Sequence, residues 1–145
     1  SVWMVLRTNW GRFWEAISDD GGKFWRTIRP TNIVAGSSPA LVKRLQSGRL
    51  VMLWNHPIPA GQTRYKLTGG DNQWSDTPVS DFRGELSMAF SEDDGATWLA
   101  PTIIASKGEE RLAYPYLFEF APGELWITTM QGDLRLRVME KDFVK

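Results

Sequence analysis

Two short stretches of the chain, SDDGGKFW at residues 18–25 and SEDDGATW at residues 91–98, fit one pattern, S-x-D-x-G-x-[TF]-W. A loop that returns after 73 residues, from Ser18 to Ser91, constrains the fold more than any other feature, because what lies between the copies must be a repeated structural unit. The residue types explain a tight turn between two strands. Ser and Asp side chains accept hydrogen bonds from the N–H groups of a turn, glycine supplies a positive φ, and a closing Trp can tuck between sheets. The structural set is Ser18, Asp20, Gly22 and Trp25 in the first copy, and Ser91, Asp93, Gly95 and Trp98 in the second. A catalytic or metal-binding use of Asp20 and Asp94 is the alternative. The stapled hairpin is the stronger reading, because one geometric task accounts for every fixed position and for the repetition.

The segments around the copies read as strands. VWMVLR (2–7), RFWEAIS (12–18), PALVKRL (39–45), RLVMLW (49–54), GELSMAFS (84–91), YPYLFEF (114–120), ELWITT (124–129) and LRLRVME (134–140) are short and rich in aromatic or branched residues. Gly, Pro, Asp or Asn bound them. Weaker strands are expected after each octapeptide, near 25–29 and 98–104. No segment carries a sustained helical period with caps, so no long helix is expected. Residues 56–82 lack any pattern and read as a long loop, of the kind that is often functional.

The repeat reaches beyond the octapeptides. Ser38-Pro39-x-Leu41 lines up with Tyr114-Pro115-x-Leu117, and Gly48-Arg49-Leu50 with Gly123-Glu124-Leu125. Each unit runs octapeptide, strand, strand, glycine turn, strand, and a strand into the next octapeptide. Four-stranded antiparallel units in series are propeller blades. The expected fold is therefore all-β, a partial β-propeller of about three blades over residues 1–145, with blade portions near 1–30, 38–104 and 112–145. The first blade is expected to lack its innermost strand and the last its outermost.

Composition narrows the function. With 17 basic and 17 acidic side chains the formal charge is zero, which argues against nucleic-acid or anionic-membrane partners held by bulk charge. There is no cysteine and a single histidine, His56, so thiolate and multi-histidine metal sites are excluded; no metal or other cofactor is expected. No apolar run reaches the ~20 residues of a membrane span, and no signal-peptide pattern is present; the sequence assigns no compartment. Eight tryptophans fit a β core or a sugar-stacking cleft.

The octapeptide S-x-D-x-G-x-T-W resembles the Asp-box, or BNR repeat, of sialidases and related six-bladed propellers, and the resemblance runs over essentially the whole chain. In that family the box lies on the outer rim, away from the active site. The resemblance implies a C-terminal half of a sialidase-like glycoside hydrolase domain, hydrolysing terminal sialic acids. It places the second carboxylate-binding arginine at Arg7, in VWMVLRTNWGRFWEAISDDGG. The third falls at Arg83, in RGELSMAFSEDDGATW, eight residues before Ser91. The nucleophilic tyrosine falls at Tyr114, in YPYLFEF, with Pro115-Tyr116 after it in place of small residues. Sialic acid carries a carboxylate on its anomeric carbon, where a carboxylate nucleophile would be repelled; a phenol avoids this, given a base to activate it. Guanidinium groups suit the carboxylate through paired, charge-assisted hydrogen bonds.

The first arginine, the acid/base Asp and the Glu that activates the tyrosine match no residue and would precede Ser1, so the chain alone is expected to be inactive. The bland readings are a strand-end arginine for Arg7, a rim ion-pair partner for Arg83 and an amphipathic strand position for Tyr114. If the three serve one ligand, they must converge within about 10 Å around a cleft.

The expected ligand is a carboxylated sugar or glycan. Self-association, or pairing with a missing propeller half, is expected to cover exposed end blades. The alternative function is a non-catalytic BNR propeller module that binds glycans or proteins. His56, Glu109-Glu110-Arg111, the Trp10 and Trp14 pair and Gly69-Gly70 read first as turn polarity, solvated loop, blade packing and a plain turn.

Overall fold

The computed structural model describes residues 1–73 and 76–144. Trp74 and Ser75, part of the expected long loop, and Lys145, the end of the last blade portion, lie outside the described residues. In chain order the strands are β1 (Val2–Leu6), β2 (Arg12–Ser18), β3 (Thr27–Val34), β4 (Leu41–Arg44), β5 (Leu50–Trp54) and β6 (Leu67–Thr68). There follow β7 (Val79–Ser80), β8 (Glu85–Ser91), β9 (Thr102–Ser106), β10 (Pro115–Ala121), β11 (Glu124–Thr129) and β12 (Arg135–Met139). Every pairing is antiparallel. The one helical element among the described residues is a single 3-10 turn at Glu140–Asp142, and no helix is long and apolar enough to cross a membrane.

The chain divides into two compact units, Ser1–Pro39 with His56–Phe82, and Ala40–Asn55 with Arg83–Lys145. The first holds a three-stranded sheet, β1-β2-β3, and the small ribbon β6-β7. Its buried apolar residues include Phe13, Ala16, Ala35 and Phe82. Pro30 lies in β3, an edge strand of its sheet, where the missing N–H removes no inner ladder bond.

The second unit holds a four-stranded sheet, β4-β5-β8-β9, and a three-stranded one, β10-β11-β12. Strand β5, LVMLW, is buried along its whole length, as a continuous apolar run at the centre of a sheet requires. Val51, Leu53, Leu86, Met88 and Phe90 from the first sheet meet Leu117, Leu125 and Ile127 from the second in one core. Among the described residues the three larger sheets have three, four and three strands, so the fold class read from the repeat, an all-β partial propeller, is the one observed.

Both octapeptides connect the last two strands of a sheet, β2 to β3 and β8 to β9. In the first, the Ser18 hydroxyl donates to Asp20 Oδ1 (2.8 Å) and accepts from the Gly22 N–H (2.9 Å). Asp20 Oδ1 also accepts from the N–H groups of Lys23 (3.0 Å) and Phe24 (2.9 Å). In the second, Ser91 donates to Asp93 (2.8 Å) and accepts from Gly95 (2.9 Å), while Asp93 takes the Thr97 N–H (2.8 Å) and hydroxyl (2.6 Å). Ser18 and Ser91 are buried.

Asp93 takes the place of Asp20 in the second turn. Asp94 stands where the first copy has Gly21; both have positive φ, 59° and 77°. Its carboxylate is exposed and pairs with Arg44 at 2.7 Å.

Strand limits differ from expectation after each octapeptide. The strand expected at 25–29 runs from Thr27 to Val34, and the one at 98–104 from Thr102 to Ser106. The first residues after each box are taken up in closing the turn. The long loop at 56–82 contains the ribbon β6-β7, tied back where the Ser80 hydroxyl donates to the Pro57 carbonyl.

Candidate functional site

Arg83 immediately precedes Gly84 and β8, and Tyr114 immediately precedes β10. Both belong to the second unit. Arg83 is 9% exposed. Its guanidinium lies over the Tyr114 ring, 5.7 Å from the centroid, and Nη1 donates to Gln131 Oε1 at 3.5 Å. A guanidinium is costly to bury; the negative face of an aromatic ring offsets part of that cost.

Tyr114 was expected to open a strand. Instead the strand starts at Pro115, and Tyr114 sits just outside it with φ 56°. A bulky residue in the left-handed region is strained by about 1–3 kcal/mol and persists only where its surroundings over-determine it. Here they do. The Leu112 N–H donates to the Arg83 carbonyl (2.7 Å), the Gln131 N–H to the Ala113 carbonyl (3.2 Å) and the Met130 N–H to the Tyr114 carbonyl (3.1 Å). The Leu112 carbonyl accepts from Asn55 Nδ2 (2.8 Å), which also donates to the Glu85 carbonyl (2.8 Å). Leu112, Ala113 and Asn55 are fully buried. The segment carrying the tyrosine is thus clamped to the segment carrying the arginine, and to the turn after β11.

Arg7 lies in the first unit, at the end of β1. It is exposed and donates to Ser37 Oγ at 3.4 Å, whose hydroxyl donates to Asn9 Oδ1 at 3.0 Å. The structure therefore brings Arg83 and Tyr114 together within one unit, while Arg7 belongs to the other.

The box carboxylates are occupied in their turns. Asp20 is held below the ordinary value of 3.8, first by the Phe24 N–H and then by the Ser18 hydroxyl. Asp93 is held below it by the hydroxyl and N–H of Thr97, then by Ser91. Their lone pairs serve the hairpin, and among the described residues no cluster of three or more His, Cys, Asp or Glu is placed to hold a metal.

Trp10 packs on Trp14 with centroids 5.3 Å apart. Glu110 is exposed and reaches Lys107 at 3.7 Å. A cavity of ≈520 Å³ in the second unit is lined in part by Gln46, Ser47, Arg49, Gly123 and Glu140; none of these is an expected site residue. There Glu140 takes the Ser47 hydroxyl (2.6 Å) and Arg49 (3.4 Å). We place the candidate site at Arg83 and Tyr114 because cation, phenol and strained backbone coincide there.

Sequence reasoning missed three contributors. Asn55 read as turn polarity beside His56-Pro57, and Gln131 and Gly132 carried no motif. A Cβ on Gly132 would stand 2.0 Å from the Arg111 carbonyl oxygen, so the turn after β11 meets the tyrosine segment backbone to backbone.

Repeated antiparallel sheets, two of them closed by the same Ser-Asp-Gly turn, define a repeat propeller class. The chain matches the BNR repeat-like domain over residues 1–127 and belongs to that family. A comparison with curated proteins gives no match.

Proposed function

We propose that the chain is a portion of a sialidase-type glycoside hydrolase domain, resembling its C-terminal half, and that its second unit recognises the carboxylate of a terminal sialic acid. The observation that carries the reading is the buried Arg83 guanidinium lying over Tyr114, a tyrosine held in a left-handed backbone. Strain maintained by a dedicated hydrogen-bond clamp is a mark of functional positions. An anion placed against Arg83 would form charge-assisted hydrogen bonds worth about 1.5–3 kcal/mol each. The phenol beside it is the nucleophile type that a carboxylate-bearing anomeric carbon calls for.

No residue of the chain is matched to the acid/base Asp, the activating Glu or the first arginine, so the proposed role of this chain alone is binding. Loss of a general acid or base typically costs about 10²–10⁴ in rate, and two are unmatched. A non-catalytic BNR module would bind without any dependence on Tyr114.

The test is an NMR titration with N-acetylneuraminic acid and its methyl ester. Millimolar binding of the acid, weakened about 10-fold by Arg83→Ala, as loss of one charged bond implies, is expected. Arg44→Ala, whose exposed side chain pairs with Asp94, should change nothing. The methyl ester should bind worse than the acid. Equal binding of acid and ester, or equal effects of the two substitutions, would reject carboxylate recognition. Cleavage of a fluorogenic sialoside that disappears in Tyr114→Phe would show that the catalytic set is complete and differently placed.

A further inference from the structure

The turn after β11 touches both halves of the candidate site through one residue. The Gln131 N–H donates to the Ala113 carbonyl at 3.2 Å, one residue before Tyr114. Its side-chain Oε1 accepts from Arg83 Nη1 at 3.5 Å. Gln131 is half-buried, and its backbone is tied down before and after it. On one side the Met130 N–H donates to the Tyr114 carbonyl (3.1 Å). On the other the Gly132 carbonyl accepts from Lys107 Nζ (2.6 Å), and the Lys107 N–H donates to the carbonyl of Gly84 (2.8 Å), the residue after Arg83. The Leu134 N–H closes the turn on Thr129 Oγ1 at 3.3 Å. The amide thus reaches the guanidinium from a fixed backbone.

Resting on the reading that Arg83 meets a carboxylate, we propose that Gln131 is a positioning residue that also sets the selectivity of that site. Its neutral amide oxygen orients the Arg83 guanidinium over the Tyr114 ring and leaves the positive charge for the ligand. The ring attracts the cation through its face, but that attraction does not choose which N–H points where. A hydrogen-bond acceptor does, because the bond is directional. At 3.5 Å the contact is at the long end for a hydrogen bond, so the amide orients the guanidinium more than it binds it. Ordering a rotamer-rich side chain before the ligand arrives removes part of the entropy cost of binding.

The choice of an amide matters as much as its place. Glutamate has nearly the shape of glutamine. At position 131 it would form a charge-assisted pair with Arg83, holding the guanidinium more firmly but competing with a ligand carboxylate for it. A residue that serves stability alone would gain from that exchange. A residue that serves recognition would lose by it.

Two readouts on the full chain separate position from binding. The NMR shifts of the Arg83 side-chain protons report its place over the ring, since protons above an aromatic face move upfield. Tyr114→Asn, which removes the ring and suits a left-handed backbone, gives the shift without it. Titration with N-acetylneuraminic acid reports binding. Gln131→Leu should move the Arg83 shifts towards those of Tyr114→Asn and weaken binding about 3–10-fold. Gln131→Glu should keep the upfield shifts and a Tm no lower than wild type, yet weaken binding about 10-fold or more. Circular dichroism confirms that each variant stays folded, and Gln131→Glu carries the test if Gln131→Leu does not. Unchanged Arg83 shifts in Gln131→Leu, or full affinity in Gln131→Glu, would overturn the proposal while leaving the carboxylate reading intact. No binding by the wild-type chain would sink that reading and the selectivity assigned to Gln131 with it, whereas the Arg83 shifts would still decide the positioning role.

Discussion

Gly132 and Gly48 share a backbone φ of 89°, yet their surroundings differ, and Gly→Ala at both separates backbone strain from backbone contact. A Cβ at Gly48 meets nothing within 4 Å. Alanine there carries only the left-handed penalty, about 1–2 kcal/mol, partly offset by about 0.4–1 kcal/mol from a stiffer unfolded chain. The net loss is about 1 kcal/mol. A Cβ at Gly132 would lie 2.0 Å from the Arg111 carbonyl oxygen and 3.0 Å from Leu112 Cδ2. Real Cβ atoms keep beyond 3.0 Å, and the obstacle is backbone, so the turn must retreat by about 1 Å. That movement pulls on the Gln131-to-Ala113 and Met130-to-Tyr114 bonds and on the 2.6 Å bond from Lys107 Nζ to the Gly132 carbonyl. At about 1 kcal/mol for each bond lost, the total reaches about 3–5 kcal/mol, in the range of a severe single substitution.

Thermal unfolding followed by circular dichroism reads the difference. At about 2–4 °C per kcal/mol for chains of this size, Gly48→Ala should lower Tm by about 3 °C and Gly132→Ala by ~10 °C or more. Gly132→Ala should also weaken binding of N-acetylneuraminic acid, because the turn it displaces holds both the Tyr114 carbonyl and the Gln131 side chain over Arg83. Equal drops in Tm for the two variants would refute the close approach, and with it the view that Tyr114 is fixed by the turn.

Other outcomes follow from the same contacts. Asn55→Leu removes two 2.8 Å bonds to buried carbonyls and should cost about 2–4 kcal/mol, read as a lower urea midpoint. In Asn55→Asp a carboxylate would face those carbonyls, which raises its folded pKa above the unfolded value of about 3.9; its penalty should shrink as pH falls from 7 towards about 4 and be largest at neutral pH. Asp20 and Asp93 have lowered folded pKa values, so their stabilisation is present above the ordinary 3.8 and lost as pH falls through the folded values. Asp93→Asn should flatten the decline of Tm below pH ~4, and a Tm–pH curve parallel to wild type would contradict the assigned bonds.

What was legible in the sequence was local chemistry. RFWEAIS and ELWITT became β2 and β11 with the expected limits, because strand-forming residues run up against turn residues on both sides. The octapeptides were legible because their bonds span two to four residues. That Asp94 takes the place of a left-handed glycine was not legible, because only the φ values show it. The ribbon β6-β7 is two residues per strand, too short for any period. Tyr114 is a good strand former, so nothing in YPYLFEF announces a left-handed backbone; that conformation is imposed from Asn55, 57 residues before Leu112, and from the turn after β11.

This separation between short-range and long-range bonds has a functional consequence. The boxes close their hairpins with bonds inside a single turn, so loss of one should lower stability without reshaping a site elsewhere in the unit. The Arg83–Tyr114 pair depends on bonds between segments far apart in sequence, so the residues that make them serve stability and site together. Ser91→Ala, which leaves the Gly95 N–H without its acceptor, should cost about 1–3 kcal/mol and leave the affinity for N-acetylneuraminic acid unchanged. Asn55→Leu should lower both. If Ser91→Ala weakened binding as much as Asn55→Leu at matched loss of stability, the pair would be responding to general softening of the unit, and the clamp would have no particular role in holding Tyr114 beneath Arg83.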